Sequence, residues 1–302
     1  MTEAFRYCGV IGLGSIGMGI ARSLLRAGIP VWGYDRCPRL TRDFAEESHR
    51  EVADAVERAR RTEVLILAVV DAAQVEDVLF GNGALADALP ADSVVVVCST
   101  IAASAARRIA ARLDEHQLLM LDAPTSGGAL RAASGDLTLM ASGSEAAFQR
   151  AEAALAAMAT RLFKLGTEVG QGSQVKLVNQ LLAGVHVAAA AEAMAYGIRQ
   201  GCDPEQLFEV IRHSAGNSWM FEDRVPHLLA GDYRPRSAVD IFVKDLRLVL
   251  DSTREAAFPL PLAASAYQLF EQASAAGLGR EDDIAVAKLF PGIELPQTTL
   301  ED

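Results

Sequence analysis

The chain has 302 residues, 51% of them hydrophobic and 22% charged, with Asp+Glu 39 against Lys+Arg 28 and a net charge of −11. This composition supplies a sizeable core, excludes disordered and collagen-like chains, and at roughly 100–200 residues per domain predicts two domains. An acidic chain without a lysine and arginine stripe is a poor partner for nucleic acid or an anionic membrane, because both need clustered positive charge.

Short apolar runs predict strands at Tyr7–Ile11, Val31–Tyr34, Glu63–Val69, Ser93–Cys98, Leu118–Asp122, Leu137–Ala141 and Leu162–Leu165. Several, such as Val64 to Val69 and Val94 to Val97, are nearly continuous, the mark of strands buried on both faces of a parallel sheet. Helical patterns lie between them at Ile16–Ala27, Ala72–Leu79, Ala103–His116 and Glu145–Met158. Alternating strand and helix predicts an α/β, doubly wound Rossmann sheet. From Gln171 onward the pattern is all-helical, with helices expected at Gln174–Gln200, Pro204–His213, Met220–Leu229, Val239–Ala256, Leu262–Ala276 and Asp282–Leu289. The Gly166-Thr167-Glu168-Val169-Gly170 linker sets the boundary, giving a nucleotide-binding domain at 1–165 and an all-α substrate and oligomerisation domain at 166–302. The long connecting helix is apolar on nearly all sides, which predicts packing both in its own core and against a partner subunit in a homodimer or homotetramer.

The four cysteines, Cys8, Cys37, Cys98 and Cys202, form no CxxC pair and read as reduced, buried thiols of a cytoplasmic protein. The five histidines form no HxxxH or HExxH, so no metal site is expected. Structure-forming sequence begins at Arg6-Tyr7, which leaves no room for a signal peptide. The longest uncharged apolar stretch, Leu177 to Ala191, is too short and too polar to span a bilayer, and the C-terminal Leu300-Glu301-Asp302 matches no common address signal.

Gly12-Leu13-Gly14-Ser15-Ile16-Gly17 is a GxGxxG placed between a predicted strand and a predicted helix, the context that gives this otherwise weak motif its meaning. Gly12 allows the tight turn, Gly14 lets a pyrophosphate approach the backbone, and Gly17 allows close helix–strand packing. The helix N-terminus then offers free N–H groups and the positive end of its dipole to the phosphates. Asp35 ends the second strand, 23 residues after Gly12, where a carboxylate holds both ribose hydroxyls of NAD and repels the 2′-phosphate of NADP; Arg36 beside it has the opposite tendency.

With three further stretches the chain resembles the β-hydroxyacid dehydrogenase family, which includes 3-hydroxyisobutyrate dehydrogenases and tartronate semialdehyde reductases. The resemblance rests on Val10-Ile11-Gly12-Leu13-Gly14-Ser15-Ile16-Gly17-Met18-Gly19, Asp122-Ala123-Pro124-Thr125-Ser126-Gly127-Gly128, Gly170-Gln171-Gly172-Ser173-Gln174-Val175-Lys176-Leu177-Val178-Asn179 and Phe242-Val243-Lys244-Asp245-Leu246. Their order and spacing cover almost the whole chain. Within the family, Gln180 to His186, Ala215 to Glu222 and Ser237 to Asp245 resemble the L-threonate dehydrogenase branch.

The loop after the fifth predicted strand lies at the C-terminal edge of the sheet, where Ser126 and the N–H groups of Gly127 and Gly128 can cradle a substrate carboxylate; the resemblance implies the same role. Lys176 sits in the first turns of the long helix, where dipole and burial both disfavour its ammonium and suit it to proton transfer, and the resemblance marks it as the catalytic acid–base group. The bland alternative is a lysine with a solvated head. Asn179, on the same helical face, either orients Lys176 or binds the substrate hydroxyl. Lys244 has an i,i+4 partner in Asp240, yet the resemblance places it near nicotinamide and substrate. Thr100 resembles the family's cofactor contact near the nicotinamide ribose, and the Val69-Val70-Asp71 turn shares that resemblance more weakly; Asn217, Ser218 and Trp219 can bind the polar tail of a polyhydroxy acid. Trp219 fits core packing at least as well, and His186 and His213 read as structural. Together these imply an enzyme that takes a hydride from a small hydroxy acid to NAD. Its nearest alternatives are 3-hydroxyisobutyrate, D-glycerate or tartronate semialdehyde as substrate, an imine reductase, or a non-catalytic dinucleotide-binding scaffold. Lys176 weighs against the last two, whose members tend to lack it.

Overall fold

The structure is a computed structural model that describes residues 7–49, 54–81, 84–254 and 257–296. Leu300–Asp302, read above for an address signal, and Ala256, the expected end of one helix, lie outside them, as does Arg6. The chain divides into two compact units, Met1–Lys176 and Leu177–Asp302.

The first unit begins with β1 (Tyr7–Ile11), α1 (Ser15–Arg26), β2 (Val31–Tyr34), α2 (Pro38–Glu47), α3 (Ala55–Ala59), β3 (Thr62–Leu67), α4 (Ala72–Phe80), α5 (Leu85–Ala88), β4 (Val94–Val97) and α6 (Ala103–Glu115). It continues with β5 (Leu119–Asp122), β6 (Thr125–Ser126), α7 (Gly128–Ser134), β7 (Leu137–Gly143), α8 (Glu145–Met158) and β8 (Ala159–Lys164). The strands form one sheet in the order β2-β1-β3-β4-β5-β7-β6, with β8 paired to β7. From β2 to β5 every pairing is parallel; β7 runs antiparallel to β5 and to β6. The sheet is therefore mixed at one edge, where the hydrophobic runs alone suggested parallel strands throughout.

Alternation along the strands shows why the sheet is covered on both faces. Cys8, Val10, Val64, Ile66, Val94 and Val96 enter one core, with Ile20 and Leu24 of α1 and Phe148 and Leu155 of α8. Ile11, Leu65, Leu67, Val95 and Val97 enter the other, with Leu79 of α4 and Ile109 and Leu113 of α6. Each such side chain, fully buried, stabilises the fold by about 1.5–3 kcal/mol. Strand order reverses at β1, which has β2 on one side and β3 on the other, so the crevice beyond its C-terminal end is a topological switch point.

α9 (Gln171–Arg199) starts in the first unit and continues into the second, which adds α10 (Pro204–Arg212), α11 (Trp219–Leu229), α12 (Val239–Ser252) and α13 (Pro261–Ala273). A π-helical turn at Ser274–Leu278, broken by Gly277 at φ +88°, and a 3-10 helix at Asp283–Leu289 complete it. No strand occurs among the described residues here beyond one bridge between Ala238 and Asp282. Val187, Ala191 and Met194 of α9 pack on Phe221, Val225 and Leu228 of α11, Phe242 and Leu246 of α12, and Phe270 of α13. Phe242 and Phe270 stack with ring centroids 5.0 Å apart. A Cβ on Gly184 would lie 2.9 Å from Leu246 Cδ2, so glycine sets how closely α9 and α12 approach.

Two expectations need correction. Only Cys8 and Cys98 are buried; Cys37 and Cys202 are exposed, and all four are free. At 29 residues, α9 is also long and apolar enough to cross a bilayer by length and composition, with mean hydropathy 1.5 over its best window. The polar breaks in Leu177–Ala191 do not prevent this, but 44% of that window is buried inside the fold.

Candidate active site

In the first unit, the chain leaves β1 through Gly12, whose φ of +88° and close approach to Ala68 O (2.7 Å from an added Cβ) demand glycine. A Cβ on Gly17 would stand 1.7 Å from Gly12 O, which seals α1 against the turn. Gly14 is different. Its φ is −64°, an added Cβ would meet no heavy atom within 4 Å, and it N-caps α1 without a side-chain cap bond. The fold does not require glycine there, whereas a phosphate approaching the backbone does, and the uncapped first-turn N–H groups of Ser15 and Ile16 face the same way as the dipole's positive end. The residues thus fit a dinucleotide. The Leu13 side chain is buried in the core. The Leu13 N–H donates to Asp35 Oδ2 at 2.7 Å, and Cys37 N–H donates to Asp35 Oδ1 at 2.7 Å. The carboxylate at the end of β2 is therefore held against the glycine loop.

Val69, half-buried, and Val70, exposed, follow β3; the next residue, Asp71, caps α4 by accepting from Gln74 N–H at 2.9 Å. Thr100 is half-buried between β4 and α6. Burial, with Asp122 adding to it, pushes the Cys98 thiol up to about 12, so this cysteine is no nucleophile.

Asp122 ends β5 fully buried. Its Oδ2 accepts from Gly170 N–H at 3.0 Å and Ser173 N–H at 2.8 Å, and its Oδ1 accepts from Ser173 Oγ at 2.7 Å. Gly172 N–H donates to Ser142 Oγ at 3.0 Å, and a Cβ on Gly172 would come within 2.3 Å of Met140 O and 2.5 Å of Asp122 O. The start of α9 is thereby clamped to β5 and β7. Burial raises the Asp122 carboxyl above its ordinary value, with the Ser173 and Gly170 donors opposing the shift. Lys176 follows one turn after Ser173 and is 7% exposed, so the reading of a lysine with a solvated head does not hold. Gly127, at φ +135°, and Gly128, at φ +70°, turn the chain from β6 into α7, which has no side-chain cap; Ser126 is half-buried beside them.

In the second unit, Asn179 Nδ2 donates to Gln180 Oε1 at 3.0 Å, and Gln180 Nε2 donates to Asp245 Oδ2 at 2.6 Å. Lys244 Nζ pairs with Asp245 Oδ1 at 2.7 Å. Asp240, expected as its i,i+4 partner, instead accepts from Ser274 Oγ at 2.6 Å. Asn217 Nδ2 donates to Arg212 O and Glu222 Oε1, while Ser218 Oγ caps α11 by accepting from Phe221 N–H at 3.1 Å. Both are engaged locally, and the Ser218 hydroxyl keeps a proton to donate. Trp219 is 51% exposed, which excludes core packing. His213 bonds Glu209 O on its own helix turn, and His186 is half-buried.

Sequence reasoning assigned no role to Asp122, Ser173, Gln180 or Asp245. A lone carboxylate ending an apolar strand was the available signal for Asp122; its partners lie 48 and 51 residues away.

Residues 7–166 match the family described as the NAD binding domain of 6-phosphogluconate dehydrogenase, and residues 170–290 match the one described as NAD-binding of NADP-dependent 3-hydroxyisobutyrate dehydrogenase. The L-threonate dehydrogenase of Cupriavidus necator is 55% identical over 291 residues, 96% of this chain and 98% of that protein. The L-threonate dehydrogenase of Escherichia coli K12 is 50% identical over 291 residues, 96% of each. A crystal structure of 3-hydroxyisobutyrate dehydrogenase from Salmonella typhimurium, 51% identical, matches with a TM-score of 0.89 over 94% of this chain and 100% of that one. With likeness of this order along both units, the chain is an NAD-binding oxidoreductase and belongs to the 3-hydroxyisobutyrate dehydrogenase-like family of β-hydroxyacid dehydrogenases.

Proposed function

We propose that this enzyme oxidises L-threonate at C2 to 2-dehydro-L-erythronate with NAD. The observation that carries this reading is the 55% identity to an L-threonate dehydrogenase over 96% of the chain. NAD supplies the hydride acceptor when bound. Gly12 to Gly17 hold its pyrophosphate through the Ser15 and Ile16 N–H groups, Leu13 holds Asp35 through its own N–H, and Asp35 holds the ribose, which favours NAD over NADP. Val69, Val70, Thr100 and Lys244 complete the cofactor contacts. Ser126 and the N–H groups of Gly127 and Gly128 hold the substrate carboxylate, and Asn217, Ser218 and Lys244 its polar tail. Lys176 removes the hydroxyl proton as hydride leaves the same carbon, so the carbinol becomes a carbonyl without passing through an alkoxide stranded in a dry site. Asn179 aligns that hydroxyl or the lysine itself. The working parts divide as a nucleotide-binding domain at 1–165 and a substrate and oligomerisation domain at 166–302. The uncharged exposed side chains Val178, Leu182 and Tyr196 on α9 support a homodimer or homotetramer, and a cytoplasmic location suits a reaction on a metabolic acid.

The test is NADH formation from NAD and L-threonate, with Lys176→Ala as the comparison. Turnover that falls by about 10²–10⁴-fold in the variant is expected for loss of a general base. Turnover with 3-hydroxyisobutyrate and none with L-threonate would replace the substrate, in line with the description carried by the Salmonella structure. Equal activity of Lys176→Ala would remove the lysine from the chemistry.

A further inference from the structure

In the second unit, Asp245, Gln180 and Asn179 are joined in series by hydrogen bonds, and Lys244 forms an ion pair with Asp245 at one end of the series. Gln180 Nε2 donates to Asp245 Oδ2 at 2.6 Å and Asn179 Nδ2 donates to Gln180 Oε1 at 3.0 Å, while Lys244 Nζ lies 2.7 Å from Asp245 Oδ1 as an ion pair. Both ends are residues given roles above, while the two middle members have none. Asp245 and Gln180 are buried, at 1% and 8% exposure, so water does not compete for these bonds.

We propose that Asp245 and Gln180 are positioning residues that fix which way the Asn179 amide faces. This rests on the reading of Asn179 as a substrate-aligning group. An ionised carboxylate can only accept hydrogen bonds. Gln180 must therefore turn its NH₂ toward Asp245, which leaves its carbonyl oxygen for Asn179. Only the Asn179 NH₂ can donate to that oxygen. The Asn179 carbonyl oxygen is then directed away from Gln180, as an acceptor.

The polarity matters for an oxidation. The groups that Asn179 would align, a hydroxyl about to lose its proton or a lysine ammonium that has gained one, are both donors. An acceptor steadies them, and an inverted amide would offer N–H to N–H or O–H. The charge on Asp245, 65 residues away from Gln180 in sequence, thereby sets the sign of a dipole at Asn179. Lys244 holds the other oxygen of the same carboxylate, so it keeps Asp245 in register while Gln180 reads its charge.

The chain has three asparagines, Asn82, Asn179 and Asn217, so selective ¹⁵N-asparagine labelling resolves the Asn179 side-chain amide, identified by its loss in Asn179→Asp. Two variants probe the path. Gln180→Met removes the link to Asn179 and leaves the Lys244–Asp245 pair in place. Asp245→Asn keeps the shape and the capacity to hydrogen bond but lets both amide orientations form. The expected result is a displaced Asn179 amide resonance in Gln180→Met and a doubled or broadened one in Asp245→Asn. In both, kcat falls about tenfold, and in Gln180→Met, which leaves Lys244 paired, NAD affinity stays within about twofold. An unmoved resonance in Gln180→Met overturns the proposal, and so does a moved resonance with unchanged kcat. A purely structural role predicts that the isosteric Asp245→Asn keeps full kcat. If wild-type enzyme ignores L-threonate, the substrate reading fails alone, because the resonance, and kcat on whichever hydroxy acid is oxidised, still report on the path.

Discussion

Asp122 and Ser173, 51 residues apart, are joined twice: the Ser173 N–H donates to Asp122 Oδ2 at 2.8 Å and its hydroxyl donates to Oδ1 at 2.7 Å. The last residue of a central strand thus caps the helix that carries Lys176, and with Gly170 N–H it accepts three bonds inside the protein. Asp122→Ala is expected to lower stability by about 3 kcal/mol, because two backbone N–H groups stay buried without an acceptor. Asp122→Asn should lose about 1 kcal/mol, since its oxygen can serve both N–H groups while its NH₂ donates to Ser173 Oγ. Urea unfolding of the two variants checks the order; equal losses would mean that the charge, and not the bond pattern, holds the helix.

Gly14 and Gly17 belong to one motif and should respond oppositely to alanine. At Gly17 the new Cβ would collide with Gly12 O at 1.7 Å, so Gly17→Ala should cost about 2–3 kcal/mol of stability. At Gly14 it would meet nothing within 4 Å, so Gly14→Ala should leave the melting temperature in place and weaken NAD binding by about tenfold through the lost backbone approach. Melting curves beside NAD titrations separate the two effects. A destabilised Gly14→Ala would show that this glycine serves the fold.

Asp35 is already held by Leu13 and Cys37 N–H groups, so its carboxylate is fixed where the cofactor ribose is proposed to bind. Asp35→Ser removes the charge and leaves Arg36 beside it. The ratio of kcat/KM for NAD over NADP should drop by about tenfold or more, since the arginine then meets a 2′-phosphate without an opposing carboxylate. An unchanged ratio would place cofactor choice elsewhere.

The sequence revealed elements that bury a whole face and hid those held by one or two contacts. Val94–Val97 and Thr62–Leu67 read as strands because both faces are covered, so nearly every residue is apolar. α2 escaped notice because only Thr41, Phe44 and Ala45 are buried in an otherwise charged segment, although Pro38 marks its start. β6 has two residues, too few for a period. The direction of β7 was illegible because an apolar run carries no sign of parallel or antiparallel pairing. The site divides in the same way. Glycines and Lys176 belong to local motifs, whereas the bond from Gln180 to Asp245 spans 65 residues and exists only once α9 and α12 pack.

A buried charge pair in the second unit makes stability depend on pH. Asp283 accepts from Arg224 Nε at 2.7 Å through Oδ1, while among the described residues its buried Oδ2 has no hydrogen-bond partner. Burial pushes this carboxyl from 3.8 up to about 7; Arg224 opposes the shift and neighbouring Asp282 adds to it. A folded value above the unfolded one means that the folded protein keeps a proton which the unfolded chain releases. The contribution to stability is therefore complete below the unfolded value and is lost as pH rises toward the folded one. Asp282 is shifted the other way: burial acts upward, but the His227 ring and Arg236 N–H outweigh it, so its own window lies in more acidic solution. Relative to Asp283→Asn, wild-type stability should fall by up to about 1.4 kcal/mol per pH unit between about pH 4 and pH 7, then run parallel. Unfolding free energies of both proteins at several pH values measure this. Parallel curves across the whole window would mean that Arg224 keeps Asp283 ionised throughout.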